Sequence, residues 1–266
     1  MNADVLRAAY EAFTAVVRPL GDEESWRPTG CTGWAVRDLV FHCAGDAQRA
    51  LVALHTPAAG PPDLDAVTYW RDWAPDPVGA ANGQRWNRVS ASMFLDFRQL
   101  RELYLETTAA TVNAVADTPP ELPVSTQGHV LTAGDLMLTL AVEATVHHLD
   151  LVVDLPEAPG PSAAGLAAVR ATLDGLLGGP RPAGLEGRAL RPRGHRTHTA
   201  HRARTARPRR GRGPLSALQL ICRSWSSSRA GGRRVPFQRP NVFDSCCNGE
   251  VASGSVRGSG AGAFSR

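Results

Sequence analysis

A chain of 266 residues with 43% apolar residues and a net charge of +4 has the composition of a globular protein of one large or two small domains. All 29 basic residues are arginine, and they are unevenly spread: residues 1–187 hold 12 arginines against 23 acidic residues, a net of −11, whereas residues 188–266 hold 17 against 2, a net of +15, a break that marks a boundary. The five cysteines show no zinc-knuckle or CxxC spacing and no disulfide framework, and neither a signal peptide nor a long apolar run is present, so the sequence reads as soluble and cytoplasmic with no membrane segment.

In chain order, Leu6, Tyr10, Phe13, Val17 and Leu20 recur at helical spacing and predict a first helix over residues 3–20, ended by Gly21. The stretch Trp26-Arg-Pro-Thr-Gly-Cys31-Thr-Gly-Trp34 is rich in turn formers, and its tryptophans are expected against the start of a second helix. That helix runs from Val36 to Leu54, with Val36, Leu39, Val40, Cys43, Ala47, Ala50, Leu51 and Leu54 as its core face. Residues 56–93 are rich in Pro, Gly and Trp and predict an irregular connection holding at most a short helix. Trp70, Trp73 and Trp86 there either line a pocket mouth or pack a long loop. A third helix is expected from Ser90 to Ala116, stopped by Thr118-Pro-Pro-Glu-Leu-Pro123. Residues 124–131 read as a loop with a brief extended segment, and His129 as a surface residue. Thr132-Ala-Gly-Asp135 is a capping signature opening a fourth helix that ends near Leu155-Pro156. A fifth, Ala163 to Leu177, follows a Pro/Gly linker.

The chemistry concentrates in the fourth helix, in Glu143-Ala-Thr-Val-His147-His148-Leu-Asp150. Residues four apart share one helical face, so Glu143 and His147 offer an oxygen and a nitrogen to a cation such as zinc. A solvated ion pair is the commoner meaning of that spacing. Here Leu136, Leu140, Val146 and Leu151 surround the pair, and a buried charge needs a partner. The best candidate for a third donor is His42, beside the core face of the second helix. Asp38 and Asp46, one turn to either side, are available to orient its ring, or are simply solvated. His148 points roughly 100° away from His147 and is not counted. A His/Glu/His set leaves coordination positions open, and a thiol entering one is deprotonated.

Four long helices with such a constellation describe a bundle with an internal site. The segment from Trp26 through Cys31-Thr-Gly-Trp34-Ala-Val-Arg-Asp-Leu-Val-Phe-His42 resembles the first signature of the mycothiol-dependent maleylpyruvate isomerase metal-binding domain family, a branch of the DinB-like bundles. Glu143-Ala-Thr-Val-His147-His-Leu-Asp150 resembles its second, and the resemblance covers roughly residues 3–185. It implies an all-α, up-and-down four-helix bundle, metal ligation by His42, Glu143 and His147, and a supporting part for Asp150. It also implies a divalent metal, usually zinc, that activates mycothiol as co-substrate against a small electrophile, as a transferase or isomerase. Ala35 stands where the family often has a capping Thr, and the sterol-carrier-like C-terminal domain of some members is not recognisable.

The expected organisation is a metal-binding bundle over 1–155, a linker and short helix over 156–187, and an Arg/Gly/Ser-rich disordered tail over 188–266. Two accounts of the tail stand. It is a native disordered basic segment, or the product of a frameshift near residues 188–194, since the codons allowed for Gly194–Arg202, read one base later, permit a family-like C-terminal peptide. The other function classes are a metal- and thiol-binding bundle without catalysis, and nucleic-acid binding through Arg202, Arg204, Arg207, Arg209, Arg210 and Arg212. The latter ranks lowest because aromatic residues are not interleaved with the charges.

Overall fold

The computed structural model describes residues 1–71 and 77–178. Its elements in chain order are α1 (Asn2–Val17), α2 (Asp22–Ser25), α3 (Val36–Leu54), α4 (Pro77–Ser92), α5 (Phe97–Ala116), β1 (Pro123–Thr126), β2 (His129–Thr132), α6 (Ala133–Leu151) and α7 (Ala163–Leu177), with 3-10 turns at Thr68–Trp70 and Val152–Asp154. Trp73 and the basic segment from residue 188, with Arg202, Arg204, Arg207, Arg209, Arg210 and Arg212, lie outside the described residues.

Helix α1 packs on α6 and α5, and α3 packs on α5, α4 and α6. The apolar stripes read in the sequence supply the contacts. Phe13 and Val17 meet Leu39, Val40, Leu100 and Tyr104 in one core cluster, while Leu6, Tyr10, Ala47, Met137 and Ala141 form a second. Small residues let α3 approach its neighbours closely. Ala44, Ala47 and Ala50 are buried along it, and the Thr111 hydroxyl of α5 donates to the Ala47 carbonyl at 3.1 Å.

Helix α6 is apolar nearly all round, the pattern of a central helix. Residues 133–154 are long and apolar enough to cross a membrane by length and composition, against the expectation of no such run, but 72% of the apolar 18-residue window within them is buried inside the protein. The helix starts where the capping signature predicts. Thr132 Oγ1 accepts the Asp135 N–H at 3.0 Å and donates to the Asp135 carboxylate at 2.6 Å. The other Asp135 oxygen accepts the Ala66 N–H at 3.2 Å, tying the preceding loop to the helix.

Four expectations are corrected. The chain is helix-rich rather than all-α, because residues 123–132 form an antiparallel hairpin pairing Val124 with Leu131. Its two-residue turn places Gln127 at φ 51° and Gly128 at φ 79°, the positive angles such hairpin turns require. The connection 56–93 is not irregular throughout, since α4 occupies its second half. That helix begins with Pro at its first position, where proline is tolerated, and buries Gly83, Asn87, Ser90 and Ala91. A face of small and polar residues leaves no hydrophobic stripe to read. The following helix accordingly begins at Phe97, not Ser90, with Asp96 capping it by accepting the Arg98 N–H at 2.8 Å. The first helix stops at Val17, and a short turn, α2, fills Asp22–Ser25 before Trp26.

Candidate metal centre

Helices α3 and α6 face each other, and their inward polar residues meet. His42 and His147 are 7% and 6% exposed, with ring centroids 4.8 Å apart and planes nearly perpendicular at 88°. One donor atom from each of His42, Glu143 and His147 lies within 4.8 Å of the other two. The sequence-predicted trio is therefore brought together in the interior. Glu143 Oε2 stands 3.3 Å from His147 Nε2, out of line for a hydrogen bond, and has no hydrogen-bond partner although it is buried.

Each histidine also has a second carboxylate beside it. His42 Nε2 lies 3.3 Å from Asp46 Oδ2. Asp46 Oδ1 pairs with Arg49 Nη2 at 3.4 Å. Asp38, the other candidate, turns away and accepts the Ala35 N–H at 2.8 Å, partly replacing the cap that Ala35 cannot provide. His147 Nδ1 lies 3.4 Å from Asp150 Oδ2. His148 takes no part; its Nε2 meets the Pro159 carbonyl at 2.9 Å. His129 pairs with Asp63 at 3.1 Å, where loop and hairpin join.

Two residues escaped the sequence reading as members of the centre. The Cys31 thiol donates to Asp150 Oδ2 at 3.3 Å and lies 3.9 Å from His147 Nδ1. It forms a second candidate ligand group with His147 and Asp150. Gly30 makes that possible. Its N–H donates to the Asp150 carbonyl at 2.8 Å, and a Cβ there would overlap Asp150 Oδ1 and crowd the Asp150 Cα. Cys31 and Asp150 are 119 positions apart, so no local period could have linked them. The one available signal was the glycine before the cysteine in a turn-rich stretch.

The electrostatics follow from burial and these contacts. Burial alone would lower the His147 pKa, but the polar groups of Asp150, Cys31 and Glu143 beside the ring raise it well above the usual imidazole range. For His42 burial wins over Asp46, and its pKa falls. Burial alone would raise Glu143, yet the two imidazoles and Arg49 hold it below the usual carboxylate value. Burial pushes the Cys31 thiol up against the pull of His147, and it pushes the core thiol Cys43 up strongly.

A cleft reaches the centre between α3, α6 and the hairpin turn, lined by Asp46, Arg49, Tyr69, Gln127, Thr139 and Glu143, with a free volume of about 20 Å³. That is room for one water-sized body. Of the aromatic residues expected near a mouth, Trp70 stacks edge-on with Tyr69 at 5.2 Å and Trp86 is exposed on α4. Trp34 packs inside, 5.3 Å from the His42 ring, while Trp26 is exposed beneath the Arg37 guanidinium at 4.1 Å.

Residues 6–152 match the mycothiol maleylpyruvate isomerase N-terminal domain. The chain belongs to this family. Among solved structures it is similar to the crystal structure of the mycothiol-dependent maleylpyruvate isomerase, at 18% identity and a TM-score of 0.47, covering 65% of this chain and 68% of that one. It is similar also to a single-site mutant of that enzyme, at 17% identity, the same TM-score and the same coverage. No curated protein matches the chain. The mycothiol maleylpyruvate isomerase domain is thus both the family that the two sequence signatures indicated and the one to which the matched residues belong.

Proposed function

We propose that this is a divalent-metal-dependent, mycothiol-using isomerase or transferase, with His42, Glu143 and His147 as the metal donors. The long helices α1, α3, α5 and α6 would form the family's DinB-like four-helix bundle, with the metal-binding unit within residues 1–155. The observation that carries the reading is the buried Glu143 Oε2, which has no hydrogen-bond donor yet sits 3.3 Å from His147 Nε2. With Asp150 beside Nδ1 of His147, loss of the ring's extra proton would leave a lone pair on Nε2 facing a carboxylate oxygen, and a cation between the two would satisfy both. Nitrogen and oxygen donors in this number suit zinc and leave a position open.

When bound, such an ion lowers the pKa of a coordinated thiol so that the thiolate predominates near neutral pH. The chain's own residues do the rest. Asp150 and Cys31 hold the His147 ring in one orientation, as outer-shell partners of a ligand do. The apolar walls from Trp34 and Leu140 exclude water, and the cleft beside Glu143 admits one small atom to the centre. The reading implies a small-molecule thiol and an electrophile as partners, and a cytoplasmic setting, where thiols are kept reduced. Maleylpyruvate, the substrate in the relative's name, is the first electrophile to test. The alternative is a bundle that binds metal and thiol without turnover; the narrowness of the cleft is the observation in its favour. Turnover assays with mycothiol and electrophiles, run beside His147→Ala, separate the two. Product formed by the wild type and absent in the variant supports catalysis. Metal and thiol binding with no product supports the alternative.

A further inference from the structure

The imidazole of His147 has a carboxylate on each edge. Glu143 Oε2 lies 3.3 Å from Nε2, and Asp150 Oδ2 lies 3.4 Å from Nδ1. The Glu143 edge belongs to the trio with His42. On the Asp150 edge the third neighbour is sulfur: Cys31 Sγ is 3.9 Å from His147 Nδ1 and 3.3 Å from Asp150 Oδ2. Cys31, His147 and Asp150 thus form a mutually close group of their own. On a tetrahedral ion with metal–sulfur bonds of about 2.3 Å and metal–nitrogen or metal–oxygen bonds of about 2.0–2.1 Å, sulfur stands roughly 3.6 Å from nitrogen or oxygen, and nitrogen roughly 3.3 Å from oxygen. All three separations in this group fall within about 0.3 Å of those values.

The frame that holds the sulfur is tied down. Gly30 N–H donates to the Asp150 carbonyl at 2.8 Å, and Trp34 N–H donates to the Cys31 carbonyl at 3.1 Å. Cys31 N–H donates to Thr29 Oγ1 at 3.2 Å, and that hydroxyl donates to the Trp34 carbonyl at 3.0 Å. The loop is therefore fixed against the end of α6, and little ordering is left to be done on binding. Charge also fits. A thiolate, a carboxylate and a neutral imidazole together cancel the charge of a dication, which favours it in a buried place.

We propose that Cys31, His147 and Asp150 form a second cation seat, for a soft, thiophilic ion such as cadmium(II). Sulfur in the donor set selects soft ions, whereas the His42–Glu143–His147 set has none and suits borderline ones. The thiol proton leaves to solvent as the sulfur–metal bond forms. A neutral imidazole has one free lone pair. With Nδ1 on the soft ion, the ring proton sits on Nε2, facing Glu143. The two seats are therefore mutually exclusive, and a soft ion withdraws His147 from the first. The seat stands without the metal reading above; only this inhibition rests on it.

Cadmium(II) is the probe, added in thiol-free buffer to the full chain with Cys222, Cys246 and Cys247 replaced by serine throughout. An ultraviolet sulfur-to-cadmium charge-transfer band should grow to one ion per chain. It should be lost in Cys31→Ser and in His147→Ala, each checked for retained helix by circular dichroism, and kept in His42→Ala and Glu143→Gln. No band that depends on Cys31, or a band undiminished in His147→Ala, overturns the seat and leaves a hydrogen-bonded triad. A band lost in both His42→Ala and Glu143→Gln also overturns it, since Cys31 would then serve the first centre. In protein preloaded with zinc, one zinc should leave for each cadmium seated; zinc retained at full band overturns the exclusion. Failure to load zinc at all overturns the metal reading and leaves the seat standing.

Discussion

At the scale of residues, the centre depends on how His147 is held. Its Nδ1 faces Asp150, so Asp150→Ala should lower metal affinity about 10–100-fold, the usual cost of losing an outer-shell partner, as read by metal titration. Gly30→Ala should act through the same contact, because the added methyl meets Asp150; its metal affinity should fall while Gly33→Ala, whose Cβ would meet nothing but which strains a φ of 83°, should lower the melting temperature more than the affinity. The pH dependence also follows from His147. Its pKa in the folded chain is raised above the unfolded value of about 6.5. The charged ring therefore stabilises the fold fully below that unfolded value, and the contribution is lost as pH rises through the folded pKa. Metal binding must displace this proton, so metal affinity should climb with pH through the same window while the stability of chelator-treated protein falls. Titrations at several pH values, paired with melting curves in chelator, check both slopes. Glu143 and His147 were legible because four residues make one helical turn. Cys31 was not, because its contacts are set by tertiary packing across more than a hundred residues.

At the scale of elements, the helices that hold the donors were readable and the connections were not. Helix α3 has the bounds its apolar stripe predicts, Val36–Leu54, and α6 begins at its capping threonine. Thr132→Ala should cost about 1 kcal/mol of stability in chemical denaturation, the typical value of such a cap. The extent of helix α4 went beyond the short helix expected there, because its buried positions are small or polar and its interior contains glycine, which disfavours helix by about 1 kcal/mol per residue relative to alanine. Packing on α3, not local preference, makes it helical. The hairpin was missed because Gln127 supplies a positive φ usually left to Asn or Gly, so its turn carries a weak signature.

At the scale of the whole molecule, the boundary in charge at residue 188 falls well after everything that builds the centre. Every residue placed at the centre lies between Gly30 and Asp150, inside the matched residues 6–152. Deleting residues 195–266 should therefore leave metal content and melting temperature nearly unchanged; a loss of either would show that the basic segment contributes to the fold or the centre. The nucleotide sequence tests the frameshift account directly, since an early stop in the shifted frame, or a failure to spell the family-like peptide, rules it out. Neither result bears on the central claim, which is that a buried His42–Glu143–His147 cluster exists to hold a cation. Metal analysis of purified wild type beside Glu143→Gln and His147→Ala tests it most directly. The wild type should carry about one divalent ion per chain, as a single three-donor centre requires, and both variants should carry little. Equal metal content in all three, with folding intact, would contradict it.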